Sequence, residues 1–119
     1  MIIEDSRLEF CQKIEISENF IFFSFYDSRN LYSIDQSLTL TTGGLKKVDL
    51  DISKDLMGSI VTDFKVHNST ISVIFDGIIF CIFSLENNFF KKLKSIDLPS
   101  GLYYSISMFS SSSYDNGMG

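Results

Sequence analysis

Lys13-Ile14-Glu15-Ile16 returns as Lys47-Val48-Asp49-Leu50 and again, with one residue inserted, as Lys94-Ser95-Ile96-Asp97-Leu98. Each copy is a lysine, a hydrophobic residue, an acid and another hydrophobic residue. From Glu15 through Asp49 to Asp97 the mean period is 41 residues, within the range of roughly 40–45 expected of a repeat built from four strands. The repeat speaks to architecture. No catalytic or ligand motif stands beside it.

Composition points the same way. With 119 residues the chain suffices for one domain and falls short of two ordinary ones. It holds 15 Ile, 12 Phe and 5 Tyr, and no Ala, the best helix former. Its single proline, Pro99, leaves the strands uninterrupted. A hydrophobic content of 45% is that of a folded chain. The fold class expected is all-β.

A net charge of −5 argues against indiscriminate nucleic-acid binding, which needs an excess of Lys and Arg. A local basic patch is nonetheless present at Lys91, Lys92 and Lys94, with a smaller one at Lys46-Lys47. Lysines on strand edges also discourage edge-to-edge aggregation. Met1-Ile2-Ile3-Glu4-Asp5 lacks the basic start and apolar core of a signal peptide. The apolar run 77–83 is far shorter than the ~20 residues of a membrane-spanning helix. No membrane association is expected, and the compartment expected is cytoplasmic or nuclear. Cys11 and Cys81 then read as reduced thiols packed as small hydrophobes, and Asn68-Ser69-Thr70 reads as a polar turn.

β-Branched and aromatic runs ending at turn formers place strands at 8–16, 20–26, 31–35, 38–41, 45–52, 60–66, 70–75, 78–85, 89–98 and 102–109. Thr42-Gly43-Gly44 and Asp76-Gly77 mark tight hairpins. A short helical turn is expected over 53–58, with Ser53 as its cap. This gives one all-β domain over 1–109, with four-stranded units at 8–52 and 60–98 and the first strand of a further unit at 102–109. A flexible Ser/Gly-rich tail covers 110–119.

A second internal match joins whole hairpins. Phe23-Ser24-Phe25-Tyr26-Asp27 followed by Leu31-Tyr32-Ser33-Ile34-Asp35 parallels Ser72-Val73-Ile74-Phe75-Asp76 followed by Ile82-Phe83-Ser84-Leu85-Glu86. These hairpins resemble WD40-type β-propeller blades. Asp27 and Asp76 stand where those blades carry an aspartate between the second and third strands, and Ile34-Asp35 and Leu85-Glu86 stand in place of the Trp-Asp pair. The chain has no Trp and no Gly-His dipeptide, so the family's side-chain network is not carried over. The resemblance implies antiparallel four-stranded sheets forming about two blades of an incomplete propeller. A two-sheet β-sandwich is the alternative.

Residues that would carry chemistry are sparse. His67 is the single histidine. Asp63, four residues before it, lies about 13 Å away on a strand, too far for an acid–base pair. A calcium loop opening at Asp49 would need Gly and Glu where Lys54 and Ile60 stand. Gly43-Gly44 lacks the Lys-Ser/Thr of a phosphate loop. Tyr103 and Tyr104 read as packing residues. An enzyme would have to assemble a site from Asp27, Asp63, Asp76 and His67. No catalytic residue, cofactor or metal is therefore assigned.

The reading that follows is a non-enzymatic protein-interaction or scaffold module, whose partner is another protein or the remainder of a longer chain. The alternative is an accessory nucleic-acid-binding subunit of an RNA-modifying complex. Residues 60–108 are similar to a blade of the non-catalytic propeller subunit of tRNA guanine-N7 methyltransferase, through Asp76-Gly77, Ile82-Phe83-Ser84-Leu85 and the stretch 92–97. Lys91, Lys92 and Lys94 would then be the contact patch.

Overall fold

Ten strands follow one another among the described residues: β1 (Ile3–Glu4), β2 (Cys11–Ile16), β3 (Phe20–Phe25), β4 (Leu31–Asp35), β5 (Thr41–Thr42), β6 (Lys46–Lys47), β7 (Val61–His67), β8 (Thr70–Phe75), β9 (Ile79–Glu86) and β10 (Phe89–Asp97). The structure, a computed structural model, describes residues 3–4, 6–36, 41–42, 45–102 and 104–106. The fold is all-β and is not a closed barrel. Two four-stranded antiparallel sheets, ordered β2-β3-β4-β6 and β7-β8-β9-β10, carry it, and β1 and β5 add a short parallel pair.

Tight turns make each sheet a meander. Asp76 and Gly77 both adopt positive φ (53° and 75°), as do Asn87 and Asn88 (51° and 69°). Paired positive φ matches the twist of adjoining strands, and Asp, Asn and Gly reach it most cheaply. Asp27, φ 60°, serves the β3–β4 turn in the same way.

The sheets stack face to face. Phe22 of β3, Leu31 of β4 and Val48 share one buried cluster with Phe64, Ile71, Val73, Phe75, Cys81, Phe83 and Phe90 of the second sheet. The opposite face of the first sheet holds a separate cluster of Phe23, Phe25, Ile34 and Leu45. Strand pleating explains the division, since successive side chains of β3 point to opposite faces.

The sheets also run in the same direction. Leu50, just beyond β6, forms a parallel bridge with Phe90 of β10. With every ladder inside each sheet antiparallel, parallel last strands require β2 and β7 to be parallel as well. One sheet is therefore related to the other by rotation about an axis along the strands, and a two-fold flip is excluded.

Across the first two strands of each sheet, ladder register fixes the equivalence at 50 residues. Gln12 interrupts the β2–β3 ladder between Cys11 and Lys13, and Thr62 interrupts β7–β8 between Val61 and Asp63. Tyr26 N–H donates to Phe10 O in the first sheet, and Asp76 N–H to Ile60 O in the second. Lys13 thus corresponds to Asp63, Ile14 to Phe64, Glu15 to Lys65, Ile16 to Val66 and Phe25 to Phe75.

Several sequence expectations are corrected. The three Lys-containing copies are not equivalent: one lies in a first strand, β2, and the others lie at last strands, β6 and β10. The hairpin match places Phe22 opposite Ile71, one residue out of the ladder register, because the β3–β4 connection is longer than β8–β9. Residues 6–10 form a 3-10 turn, not the start of a strand. Of 45–52, Lys46–Lys47 form the ladder and Leu50 the bridge. The turn near 53–58 is present as 3-10 helix Lys54–Leu56, but Ser53 makes no side-chain capping bond. Residues 104–105 hold no strand, and Ile106 is helical. The Gly43-Gly44 hairpin and the 110–119 tail lie outside the described residues.

Candidate interaction surface

The seam between the first strands is built by charge. Lys13 Nζ lies 2.9 Å from Asp63 Oδ1. The same oxygen accepts the Phe64 N–H at 2.9 Å, and Asp63 Oδ2 accepts the Ile106 N–H at 2.8 Å. Glu15 Oε1 accepts the Val66 N–H at 3.1 Å. In β7 those amides face away from β8, where an edge strand leaves donors unpaired and costly to bury. The alternation in Lys13-Ile14-Glu15-Ile16 sends both charged side chains to the β7 side.

The outer seam uses the second acidic run. Phe90 N–H donates to Asp49 O and Asp51 N–H to Phe90 O, while Asp51 Oδ2 accepts the Lys92 N–H at 3.1 Å. Asp49 and Asp51 thus act as partners of the β10 edge. Between the seams, Phe22 meets Phe90 edge to face at 6.5 Å.

At one end the sheets diverge around a cleft of about 920 Å³. The turn residues Ser17-Glu18-Asn19 and His67-Asn68-Ser69 flank it, Lys46 and Lys47 line one wall, and Phe22 and Phe90 contribute aromatic surface. Sequence reasoning missed this cleft, because its walls are brought together by sheet stacking and carry no motif.

The lysine patch divides. Lys91 pairs with Ser84 and Lys94 with Ile82 on the outer face, and Lys65 shares the Ser72–Ile82–Lys94 row. Lys92 pairs with Phe83 and faces inward. Phase changes at the bulge between Lys92 and Lys94, which alternation alone does not reveal.

The candidate chemical residues are dispersed. His67 and Asp76 adjoin opposite ends of β8. His67 contacts the Asn68 amide at 3.4 Å, Asp76 Oδ1 accepts the Ile60 N–H at 2.9 Å, and Asp63 is committed to the seam. Cys11 and Cys81 are both free thiols. Burial raises the Cys81 thiol pKa above its ordinary value, partly offset by its hydrogen bond to Ser95. Among the described residues no metal-binding group of three His, Cys, Asp or Glu is present, and no helix is long and apolar enough to cross a membrane.

The class defined here is an all-β protein of two stacked four-stranded meanders. A chain in a solved S. cerevisiae assembly, described as a Dbp5 variant bound to Nup159, a Gle1 variant, IP6 and ADP, is similar over 76% of this chain, with TM-score 0.51 and 20% sequence identity. The matched part is 20% of that chain, and at this identity the likeness concerns the fold alone. No protein-family model and no curated protein matches the sequence.

Proposed function

We propose that this chain is a non-enzymatic protein-interaction module made of two propeller-like sheets. The observation that carries the reading is rotational stacking of two sheets whose outer faces each keep exposed isoleucines beside a buried cluster. Ile14 and Ile16 remain exposed on one side and Ile96 on the other. Exposed apolar rows on a rigid sheet are surfaces for another protein. The cleft end adds turn residues whose polar groups suit contacts at an interface rim.

A photo-crosslinker at position 16 or 96 tests the reading. The expected result is a discrete protein adduct, lost when the neighbouring apolar residue is made acidic. Absence of any protein adduct from both faces would overturn it. The nucleic-acid alternative now rests on Lys65, Lys91 and Lys94. It requires RNA affinity that falls steeply with salt and is lost when these three become Ala.

A further inference from the structure

We infer that the cleft between the diverging sheet ends is a docking site for a short extended peptide of another protein, one that carries an acidic residue beside an apolar side chain. The inference rests on the module reading above and gives it a site and a partner chemistry.

Ladder register decides what faces into the cleft. Glu15 pairs with Phe22, Phe22 with Ser33 and Ser33 with Lys46, and directly paired residues share a face. Phe22 belongs to the core between the sheets, so the whole row points toward the second sheet. The charges at its two ends have different fates. Glu15 accepts the Val66 N–H. Lys46 is exposed, lines the cleft, and makes no hydrogen bond or ion pair among the described residues. The Ser33 hydroxyl beside it is likewise without a partner among them.

The apolar part of the site is set by depth. Phe20 packs on Phe22 with ring centroids 6.0 Å apart, and Phe22 meets Phe90 of the other sheet at 6.5 Å. Phe22 and Phe83 are buried on the facing walls. Two residues nearer the strand ends, Phe20 and Leu85 are 37% and 38% exposed. The splay of the sheets leaves these two side chains opposite each other without contact to fill the gap. An apolar side chain inserted there is desolvated from both walls.

Charge and rim chemistry select the occupant. Lys46 projects from the same wall as Phe22, so an acid next to the inserted side chain reaches it. Glu18 at the β2–β3 turn and Asp49 at the outer seam also line the cleft. Their negative charge at the mouth favours a single acid over a polyanion such as RNA. Asn19, Asn68 and Asn88 complete the rim, and Asn amides both donate and accept, which matches a peptide main chain.

Selection from a random displayed peptide library by the immobilised full chain tests this. Enriched sequences are expected to share an acid beside an aromatic or aliphatic residue. A synthetic copy should shift the amide resonances of Phe20, Ser33, Lys46 and Leu85 saturably in two-dimensional NMR spectra. Lys46→Gln should weaken its binding about tenfold or more, and Lys46→Glu should enrich basic peptides in place of acidic ones. Melting temperature checks that both variants are folded. No enrichment, enrichment without an acid, shifts outside the cleft, or affinity unchanged in Lys46→Gln would each overturn the inference. Saturable shifts of the cleft amides by decanoate, with no peptide enriched, would overturn it in favour of a small amphiphile. A protein adduct from position 96 with no peptide bound in the cleft would overturn it while leaving the module reading intact.

Discussion

Single residues at the seam carry unequal energetic weight. Asp63 accepts from Lys13, Phe64 and Ile106 at once, so Asp63→Ala strands one cation and two amides. A loss of about 2–3 kcal/mol is expected in urea unfolding, since bonds to a charged acceptor contribute about 1.5–3 kcal/mol. Ser24 is the opposite case: its hydroxyl is fully buried with no partner. Ser24→Ala removes a desolvated polar group and should raise stability by about 1 kcal/mol at unchanged m-value. The thiols divide as well. Burial raises the pKa of both thiols, but Cys81 is fully buried whereas Cys11 is partly exposed, so access separates them. Iodoacetamide at neutral pH should therefore modify Cys11 first, with Cys81 reacting at a comparable rate only after denaturation.

At the scale of elements, the hairpin turns set the register that directs apolar side chains into the core. Gly77 has φ 75° with nothing within 4 Å of a Cβ built there, so substitution meets backbone strain and no clash. Gly77→Val is expected to cost about 1–2 kcal/mol, measured by thermal or urea unfolding. Asn88, φ 69°, occupies the second position of the β9–β10 turn, where Asn-Gly is the favoured pair. Asn88→Gly should stabilise by about 0.5 kcal/mol, the relief of strain exceeding the added freedom of the unfolded chain. The bulges at Gln12 and Thr62 have a different role. Thr62 Oγ1 donates to Ile74 O and accepts from Gly77 N–H, which ties the bulge of β7 to the β8–β9 turn.

At the scale of the molecule, stability depends on contact between the sheets, because an isolated four-stranded meander would expose its apolar face. Phe22 is the first sheet's aromatic contribution to the shared core and touches Phe90. Phe22→Ala should cost about 3–5 kcal/mol and lower the protection of β2–β6 amides together with those of β7–β10 in hydrogen exchange. Loss confined to the first sheet would show that the sheets unfold independently. Ile14→Ser, at an exposed position, should leave stability within about 0.5 kcal/mol of wild type in urea unfolding.

The sequence by itself determined that this is a β protein, and it placed β4 and β8 at their observed bounds. The reason is local: β-branched and aromatic runs end at Asp, Asn and Gly residues that accept positive φ, and neither signal needs a distant partner. It also marked Lys13-Ile14-Glu15-Ile16 and Asp49–Asp51 as unusual without giving their use. Only tertiary structure decided that Glu15 and Asp63 satisfy the free edge of β7 and that Lys92 faces away from Lys91 and Lys94. It likewise decided that the working repeat is 48–50 residues, depending on the strand, and not 41. Those outcomes depend on bulges and on an extra turn residue, each of which shifts the strand phase by one and sends a side chain to the opposite face. Stacking direction was beyond sequence for the same reason: it is set by which face of one sheet meets which face of the other, and that meeting created the cleft and left Ile14, Ile16 and Ile96 exposed on the outer faces.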